Sequence, residues 1–495
     1  MNRRSFFVWT AGLGLLLTGT AASQTIRIEP GKAAAPLPHF WEAAFGSGRA
    51  VLSLRESYRR NLDAVRAATD FRYVRFHAIF HDENGVYSED ASGNPVYNFN
   101  QTDQIYDGLL AHHVKPYVEL SFMPRQLAAS AALHSFWYRP VVSPPKDYRL
   151  WGALVEAFAR HLAARYGIEE LSSWYFEVWN EPNIDFWAGE PKFETYMQLY
   201  EAAARALKRV SPRLRVGGPA TAQAAWTGRF LDECARRGLA ADFVSTHVYA
   251  NDRPEDVFGK AGPEDRRAML GRAVDKVYHE VRSSALPATP IHWSEFNASY
   301  RNEPEVTDSA YMGPWLAETV ARARGKADLM SFWTFSDDFE EQGIFKSPFY
   351  GGFGLVNPQG IPKAAFHAFR LLHLLGEELL AWDENGAMVT RRRDGRLVAA
   401  LWNYAEPGVD GPDRTFTLAG APAGAALVHR VDRQHGSAFD RWKQMGAPRA
   451  LSPAQQRELE AVASAPPPER IRATGGVLTV TVPAHGLAVV ELGVD

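Results

Sequence analysis

The stretch WYFEVWNEPN (174–183) begins as an apolar, aromatic strand and ends on an amide, a carboxylate and a proline. A carboxylate among aromatic rings is costly to ionise. Glu181 is therefore either a core acid satisfied by a cation, with Arg75 as one candidate partner, or a group whose cost is put to use. The same design recurs along the chain. Short apolar runs stand at FWEAAF (40–45), YVRFH (73–77), KPYVEL (115–120), RVGGP (215–219), DFVSTH (242–247), IHWSEF (291–296) and LMSFWTF (329–335). Between them lie segments of helical period, such as DYRLWGALVEAFARHLAARYG, with apolar residues at i, i+3, i+4 and i+7. With the opening stretch this makes eight strand–helix repeats. Such repeats imply parallel strands, and eight of them close a (β/α)8 barrel of the α/β class. An open doubly wound sheet is the alternative, but no GxGxxG fingerprint follows the first strand.

Outward from the barrel, assigned to residues 36–375, the pattern changes. AMVTRRRDGRLVAALWNY is two alternating runs around Asp394-Gly395, a hairpin signal. GGVLTVTVPAHGLAVVEL is another pair around 483–486. Residues 376–495 are thus expected to form a β-sandwich, interrupted by the helical stretch SPAQQRELEAVASA. The segment TIRIEP, within residues 24–35, is a lone strand suited to joining that sandwich. Residues 1–23 read as a signal peptide: Arg3 and Arg4, an apolar stretch, then small residues at 20–23. RRSFF also fits a twin-arginine signal. Either reading sends the protein to the periplasm or the cell exterior.

Composition narrows the function. The 495 residues carry a net charge of -3, which gives no basic footprint for nucleic acid. After the leader no run is apolar enough for membrane insertion. The single cysteine, Cys234, excludes an intrachain disulfide. No His/Cys/Asp grouping has zinc spacing and no Ser–His–Asp elbow is visible, so neither metal nor cofactor is implied. The oligomeric state is not legible.

In a (β/α)8 barrel the chemistry sits at the carboxyl ends of the strands. Here those ends carry Arg75 and His77, Glu119, Asn180 and Glu181, His247 and Tyr249, Glu295, and Trp333 followed by Asp337, Asp338, Glu340 and Glu341. Glu181 and Glu295, on the fourth and seventh strands, face each other across the mouth. Glycoside hydrolysis needs this pairing: one carboxylic acid to protonate the leaving oxygen, one carboxylate on the other face of the ring.

In these segments the chain resembles glycoside hydrolase family 39, a family of retaining (β/α)8 glycosidases. YVRFHAIFHDENGVY, PYVELSFMP, WYFEVWNEPN, STHVYA, HWSEFNASY, FWTFSDDFEEQGIFKSPFYGGFGLVNPQGIPKAAF and HRVDRQHGSAFDRW look like family segments in family order. The resemblance implies that Glu181 is the proton donor and base and Glu295 the nucleophile. It implies that Asn180 contacts the sugar 2-hydroxyl, that His247 and Tyr249 lie near nucleophile and sugar, and that Glu340 and Glu341 bind hydroxyls. Trp333 and Phe335 match the floor below the ring, and His77 and Tyr300 are further matches.

The roles implied by the residues agree. Desolvation beside Trp179 and Trp187 keeps Glu181 protonated, while Glu295 needs donors, from Tyr249 or His247, to stay ionised. The competing structural readings make Asn180 a turn former before Pro182, His247 and Tyr249 satisfied core residues, and Asp337-Asp338 a loop pair. Of Glu340 and Glu341, one is expected to touch substrate and the other to face solvent; Glu119 and Arg75 are expected to brace the mouth. The expected activity is an exo-acting, retaining β-xylosidase on xylo-oligosaccharides. The rivals are an α-L-iduronidase, with Lys346 and Arg301 the nearest cations for a uronate, an exopolysaccharide hydrolase, and a catalytically dead carbohydrate-binding protein.

Overall fold

Eight strands close into a parallel barrel in chain order: β1 (Ala44–Arg49), β2 (Tyr73–His77), β3 (Lys115–Leu120), β4 (Tyr175–Val178), β5 (Arg215–Thr221), β6 (Phe243–Tyr249), β7 (Ile291–Asn297) and β8 (Leu329–Phe332). The computed structural model describes residues 22–29, 31, 34–263 and 265–494. Each strand is followed by a helix on the outside: α1 (Glu56–Ala68), α2 (Asn100–Ala111), α3 (Tyr148–Tyr166), α4 (Lys192–Val210), α5 (Thr227–Arg237), α6 (Met269–Arg282), α7 (Met312–Ala323) and α8 (Ala364–Leu372). Cys234 is buried on α5.

The first strand begins four residues later than FWEAAF suggests. Phe40 and Trp41 are buried below the barrel, and the Phe40 carbonyl accepts from the Met330 N–H at 2.8 Å. The real strand, AFGSGR, reads as a break because of its glycines. A Cβ on Gly46 would stand 2.1 Å from the Trp333 ring. Only a bare backbone lets that ring lie across the strand.

Alternation along the strands fills the lumen in layers. At the bottom Tyr117 and Phe243 pack with Tyr73 and Tyr175, and His292 stacks on Phe243 at 4.6 Å. Two residues further along come Arg75, Glu119 and Glu177, and two further again His77 and His247. Strand β7 breaks the alternation. Its pairing shifts register against β6 between Thr246 and His247, and against β8 between Trp293 and Phe296. Ser294 and Glu295 therefore both reach lumen partners, His247 and Arg75. An irregularity of this kind re-aims a side chain that strict alternation would turn outward.

Beyond the barrel lie β9 (Glu378–Asp383), β10 (Ala387–Arg391), β11 (Leu397–Asn403), β12 (Arg414–Ala419), β13 (Gly424–Val431), β14 (Glu469–Ala473), β15 (Val477–Val482) and β16 (Gly486–Val494). They form two sheets. One runs β14-β13-β16-β11-β10-β9 and ends on Ala35–Pro36; the other runs from the strand Ala22–Arg27 through β12 to β15. Ile26, Phe416 and Val480 of the small sheet share a core with Val389, Ala399 and Val490 of the large one. The Asp394-Gly395 hairpin joins β10 to β11 as read. The pair around 483–486 is not a hairpin: β15 and β16 belong to different sheets. Their burial explains the split. β15 alternates, with one face in solvent, whereas β16 is buried from Gly486 to Leu492. Leu487 and Val489 face the barrel core, and Trp402 of β11 donates its indole N–H to Glu318 of α7 at 2.7 Å. The helix Pro453–Ala463, capped by Ser452 and Gln455, packs with Phe439 and Trp442 on Phe349 and Ile361 of the barrel.

Of residues 1–23, read above as a leader, only Ala22 and Ser23 are among the described residues, and they open the first strand of the small sheet. Among the described residues no helix is long and apolar enough to cross a membrane.

Candidate active site

A cavity of about 320 Å³ opens at the carboxyl end of the barrel. Of the residues singled out in the sequence, Asn180, Glu181, Tyr249, Glu295, Trp333, Glu341, His77 and Tyr300 line it. His134 and Phe136 from the loop after β3, Phe186, Gln223, Asp252, Gln342 and Phe353 line it too and were not anticipated. Most come from loops with no regular period to read. Gln342 and Phe353 lie within the segment beginning FWTFSDDFEEQG that carries the family resemblance.

The backbone around Glu181 is strained. Trp179 has φ +72° and Glu181 φ +45°, a left-handed region that side chains with a Cβ seldom adopt. Fixed bonds hold this shape: the Glu181 N–H donates to the Ala220 carbonyl at 2.8 Å, and the Trp179 indole to the Phe186 carbonyl at 2.8 Å. Pro182 follows directly, and Asn180, beyond forming the turn, lends its Oδ1 to Arg75 at 2.9 Å.

Arg75 organises the charges. Fully buried, its guanidinium reaches Glu119 at 2.7 Å, Glu177 at 2.6 Å and Glu295 at 2.6 Å. It does not pair with Glu181, which removes the reading of Glu181 as a core acid neutralised by Arg75. His77 places Nδ1 2.8 Å from Glu119 and Nε2 3.4 Å from Glu341. Burial works against its proton, but Glu119 and Glu341 raise its pKa to about 10, so His77 is a second buried cation. Burial pushes Glu119 up, yet Arg75 and His77 hold it below the usual carboxylate range. Burial, with Glu295 and Glu119 nearby, pushes Glu341 up to about 7 despite His77.

The two facing acids are prepared differently. Burial, then the charges of Glu295 and Asp252, push Glu181 well above the usual carboxylate range and keep it protonated. Both oxygens of Glu295 accept hydrogen bonds, Oε1 from Arg75 at 2.6 Å and Oε2 from the Tyr249 hydroxyl at 2.6 Å. That arrangement suits an anion. Of the two donors proposed from sequence, Tyr249 fills the role. His247 instead stands 3.0 Å from Glu181 and 3.1 Å from Ser294, with Glu295 at 3.7 Å. Burial, with Arg75 and His77 nearby, drives the His247 pKa down and leaves the ring neutral. One oxygen each of Glu181 and Glu295 and a nitrogen of His247 lie within 4.8 Å of one another. A protonated acid facing a held carboxylate across a sugar-sized gap is equipped for acid-assisted displacement at an acetal carbon.

Several expectations are corrected. Glu340 neither lines the cavity nor faces solvent: Arg49 at 2.9 Å and Arg55 at 2.7 Å hold it from behind. Phe335 packs on Tyr58 at 4.8 Å and Phe71 at 5.5 Å, away from the floor. The ring beside Trp333 in the floor is Phe353, backed by Phe339. Asp337 and Asp338 do stand in the loop after β8, where Asp337 is buried against Lys363, which also pairs with Asp308 at 2.7 Å.

Comparison with known proteins agrees with this geometry. The family model described as glycosyl hydrolases family 39 matches residues 24–477. A β-xylosidase from Geobacillus stearothermophilus is 39% identical over 459 residues, spanning 89% of this chain and 90% of that protein. The crystal structure of a monomeric β-xylosidase from Caulobacter crescentus CB15 superposes with a TM-score of 0.85 at 34% identity, over 95% of this chain and 99% of the other. That of a GH39 enzyme from Xanthomonas axonopodis pv. citri does so with 0.86 at 32% identity, over 97% and 100%.

Proposed function

The chain belongs to glycosyl hydrolases family 39 and is a glycoside hydrolase, and we propose that it is a retaining exo-β-xylosidase that removes terminal xylose from short xylo-oligosaccharides. One observation carries the retaining reading: an oxygen of Glu181 and an oxygen of Glu295 lie within 4.8 Å. Retaining enzymes keep their carboxyl groups about 5 to 5.5 Å apart, whereas inverting ones leave about 6.5 to 9.5 Å for a water.

In the first step Glu181 gives its proton to the glycosidic oxygen as the C1–O bond breaks. Glu295 attacks C1 from the opposite face, and the alcohol leaves with the proton. The ester so formed removes the negative charge of Glu295, and with it one cause of the raised Glu181 pKa. Glu181, now anionic, takes a proton from water whose oxygen attacks C1, and Glu295 leaves as a carboxylate. Two inversions restore the starting configuration.

Three features support a neutral pentose. The cavity, about 320 Å³, is at the small end of ligand sites, which run from about 300 to 1,000 Å³. Among the described residues none of those lining it is Arg or Lys, and Lys346 and Arg301 lie outside. Four carboxyl groups, Glu181, Asp252, Glu295 and Glu341, face the space, which disfavours a uronate. Two relatives that share more than a third of their residues with this chain over nearly nine tenths of its length are named β-xylosidases.

A panel of nitrophenyl glycosides on purified protein tests the sugar, and proton NMR of the first-formed product tests the stereochemistry. A dominant iduronide, or an initially inverted anomer, defeats the reading. We also propose export through residues 1–23. Replacing Arg3 and Arg4 by Lys separates the two routes: blocked export indicates the twin-arginine pathway, unaffected export an ordinary secretory signal.

A further inference from the structure

The cavity wall is built in two ways. Towards β5 to β7 its lining comes from Gln223, Asp252 and Tyr300, each on the loop after its own strand. Towards β8 and β1 to β3 the loops are tied together, and the tie is Arg49 at the end of β1. Its Nε donates to both oxygens of Glu83, in the loop after β2, at 3.1 and 3.3 Å. Its Nη1 donates to Glu340, in the loop after β8, at 2.9 Å. Its guanidinium lies 5.2 Å from the ring centre of Tyr138, in the loop after β3. Arg55 takes the other oxygen of Glu340 at 2.7 Å. The same two loops meet again one residue along. The Trp137 N–H donates to the Glu341 carbonyl at 2.7 Å, and the Trp137 ring covers Gly343, where a Cβ would come within 3.3 Å of it.

Glu340 and Glu341 are neighbours with opposite tasks. Glu340 points back to the two arginines, and Glu341 points into the cavity beside His77. The strut behind the wall therefore fixes the carboxyl group in front of it. A second sugar extending from the enclosed ring towards β8 and β1 to β3 would meet this wall, which is tied across four loops. Building on the xylosidase reading, we propose that Arg49 is a positioning residue that limits the enclosed side of the site to one sugar, by holding the Glu340–Gly343 segment against the Tyr138 loop.

The experiment uses reducing-end-labelled xylotetraose with the full-length wild type, Arg49→Ala, Arg49→Lys and Trp137→Ala. The wild type is expected to release xylose one residue at a time. Arg49→Ala and Trp137→Ala are expected to raise the initial ratio of xylobiose to xylose about tenfold, the scale of one gained or lost sugar contact, with Arg49→Lys restoring much of the original ratio. Circular dichroism and melting temperature confirm that each variant folds, and the Trp137 variant opens the same wall without removing a charge. Folded variants that only slow xylose release, with an unchanged product ratio, overturn the proposal. A wild type inactive on every xyloside defeats the xylosidase reading instead, and an endo product pattern in the wild type defeats the closed wall.

Discussion

Arg75 and Glu295, 220 residues apart in sequence, meet at 2.6 Å in the middle of the barrel. The contact binds the proposed nucleophile to a cation that also carries Glu119 and Glu177. All three carboxyl groups are buried. Removing one partner of a buried ionic cluster leaves the others unpaired, which costs about 3 to 5 kcal/mol. Arg75→Leu is expected to lose stability on that scale in urea unfolding. Arg75→Lys is expected to keep more of it but still lose activity, because an ammonium cannot serve three carboxylates in one plane. A Leu variant as stable as the wild type would show that the cluster is not what braces the lumen.

The two facing acids are separable by their leaving-group dependence. Glu295→Ala is expected to abolish turnover on every substrate, by orders of magnitude, since Glu295 is the carboxylate proposed to attack C1. Glu181→Ala is expected to spare substrates with acidic leaving groups, and added azide to yield the β-glycosyl azide. Equal loss on good and poor leaving groups, with no azide product, removes Glu181 from the acid/base role.

Asp252 offers a test by pH. Its carboxyl, buried and accepting from the Tyr249 N–H at 2.8 Å, is pushed up to about 7 and adds to the raised proton affinity of Glu181. Glu181 must be protonated to act as the acid, so kcat/KM falls as pH rises through its pKa. Asp252→Asn removes a like charge, and the alkaline limb is expected to move to lower pH. Profiles of kcat/KM for both proteins decide it; superimposed limbs show that Asp252 does not act on Glu181.

Much of this site could be read in the sequence because strand ends are fixed by the fold. Once the runs at 174–179 and 291–296 were taken as strands, Glu181 and Glu295 had to stand at one mouth. What stayed hidden depends on contacts far apart in sequence. That Arg75 serves Glu295, and not Glu181, follows from the register shift in β7, which leaves no mark in composition. That Glu340 turns away while Glu341 turns in is decided by Arg49 and Arg55, almost three hundred residues earlier. β1 is hard to read because Gly46, inside it, makes room for the ring of Trp333, just past β8.

Under the barrel, Glu42 links the segment before β1 to the residue after α8. It is buried and accepts from His39 at 2.5 Å and His373 at 2.9 Å. Burial pushes Glu42 up, but both imidazoles together hold it below its ordinary value, while Glu42 raises His373. A lowered carboxylate pKa gives stability that is present above the unfolded value, about 4.5, and is lost as pH falls through the folded one. A raised histidine pKa gives stability that is full below about 6.5 and is lost as pH rises through the folded value. The latch is therefore strongest between these limits. Melting temperature against pH is expected to show a smaller acid-to-neutral variation in His373→Gln than in the wild type; parallel curves would count against the latch.

Sugar choice is expected to rest on the floor of the cavity. Trp333 lies across Gly46, and Phe353 closes the next position, with Phe339 packed behind both at 5.9 and 5.3 Å. A glucoside differs from a xyloside by one hydroxymethyl group on the ring. Where that group meets packed aromatic rings, it has to displace them, at a cost of about 1 to 3 kcal/mol. The wild type is thus expected to prefer nitrophenyl β-xyloside over the matched glucoside by about 10- to 200-fold in kcat/KM. Phe353→Ala is expected to narrow that ratio by improving the glucoside while weakening the xyloside. Improvement on one sugar cannot come from a general loss of structure, so this variant tests the packing itself. Equal rates on both sugars in the wild type would refute the closed floor.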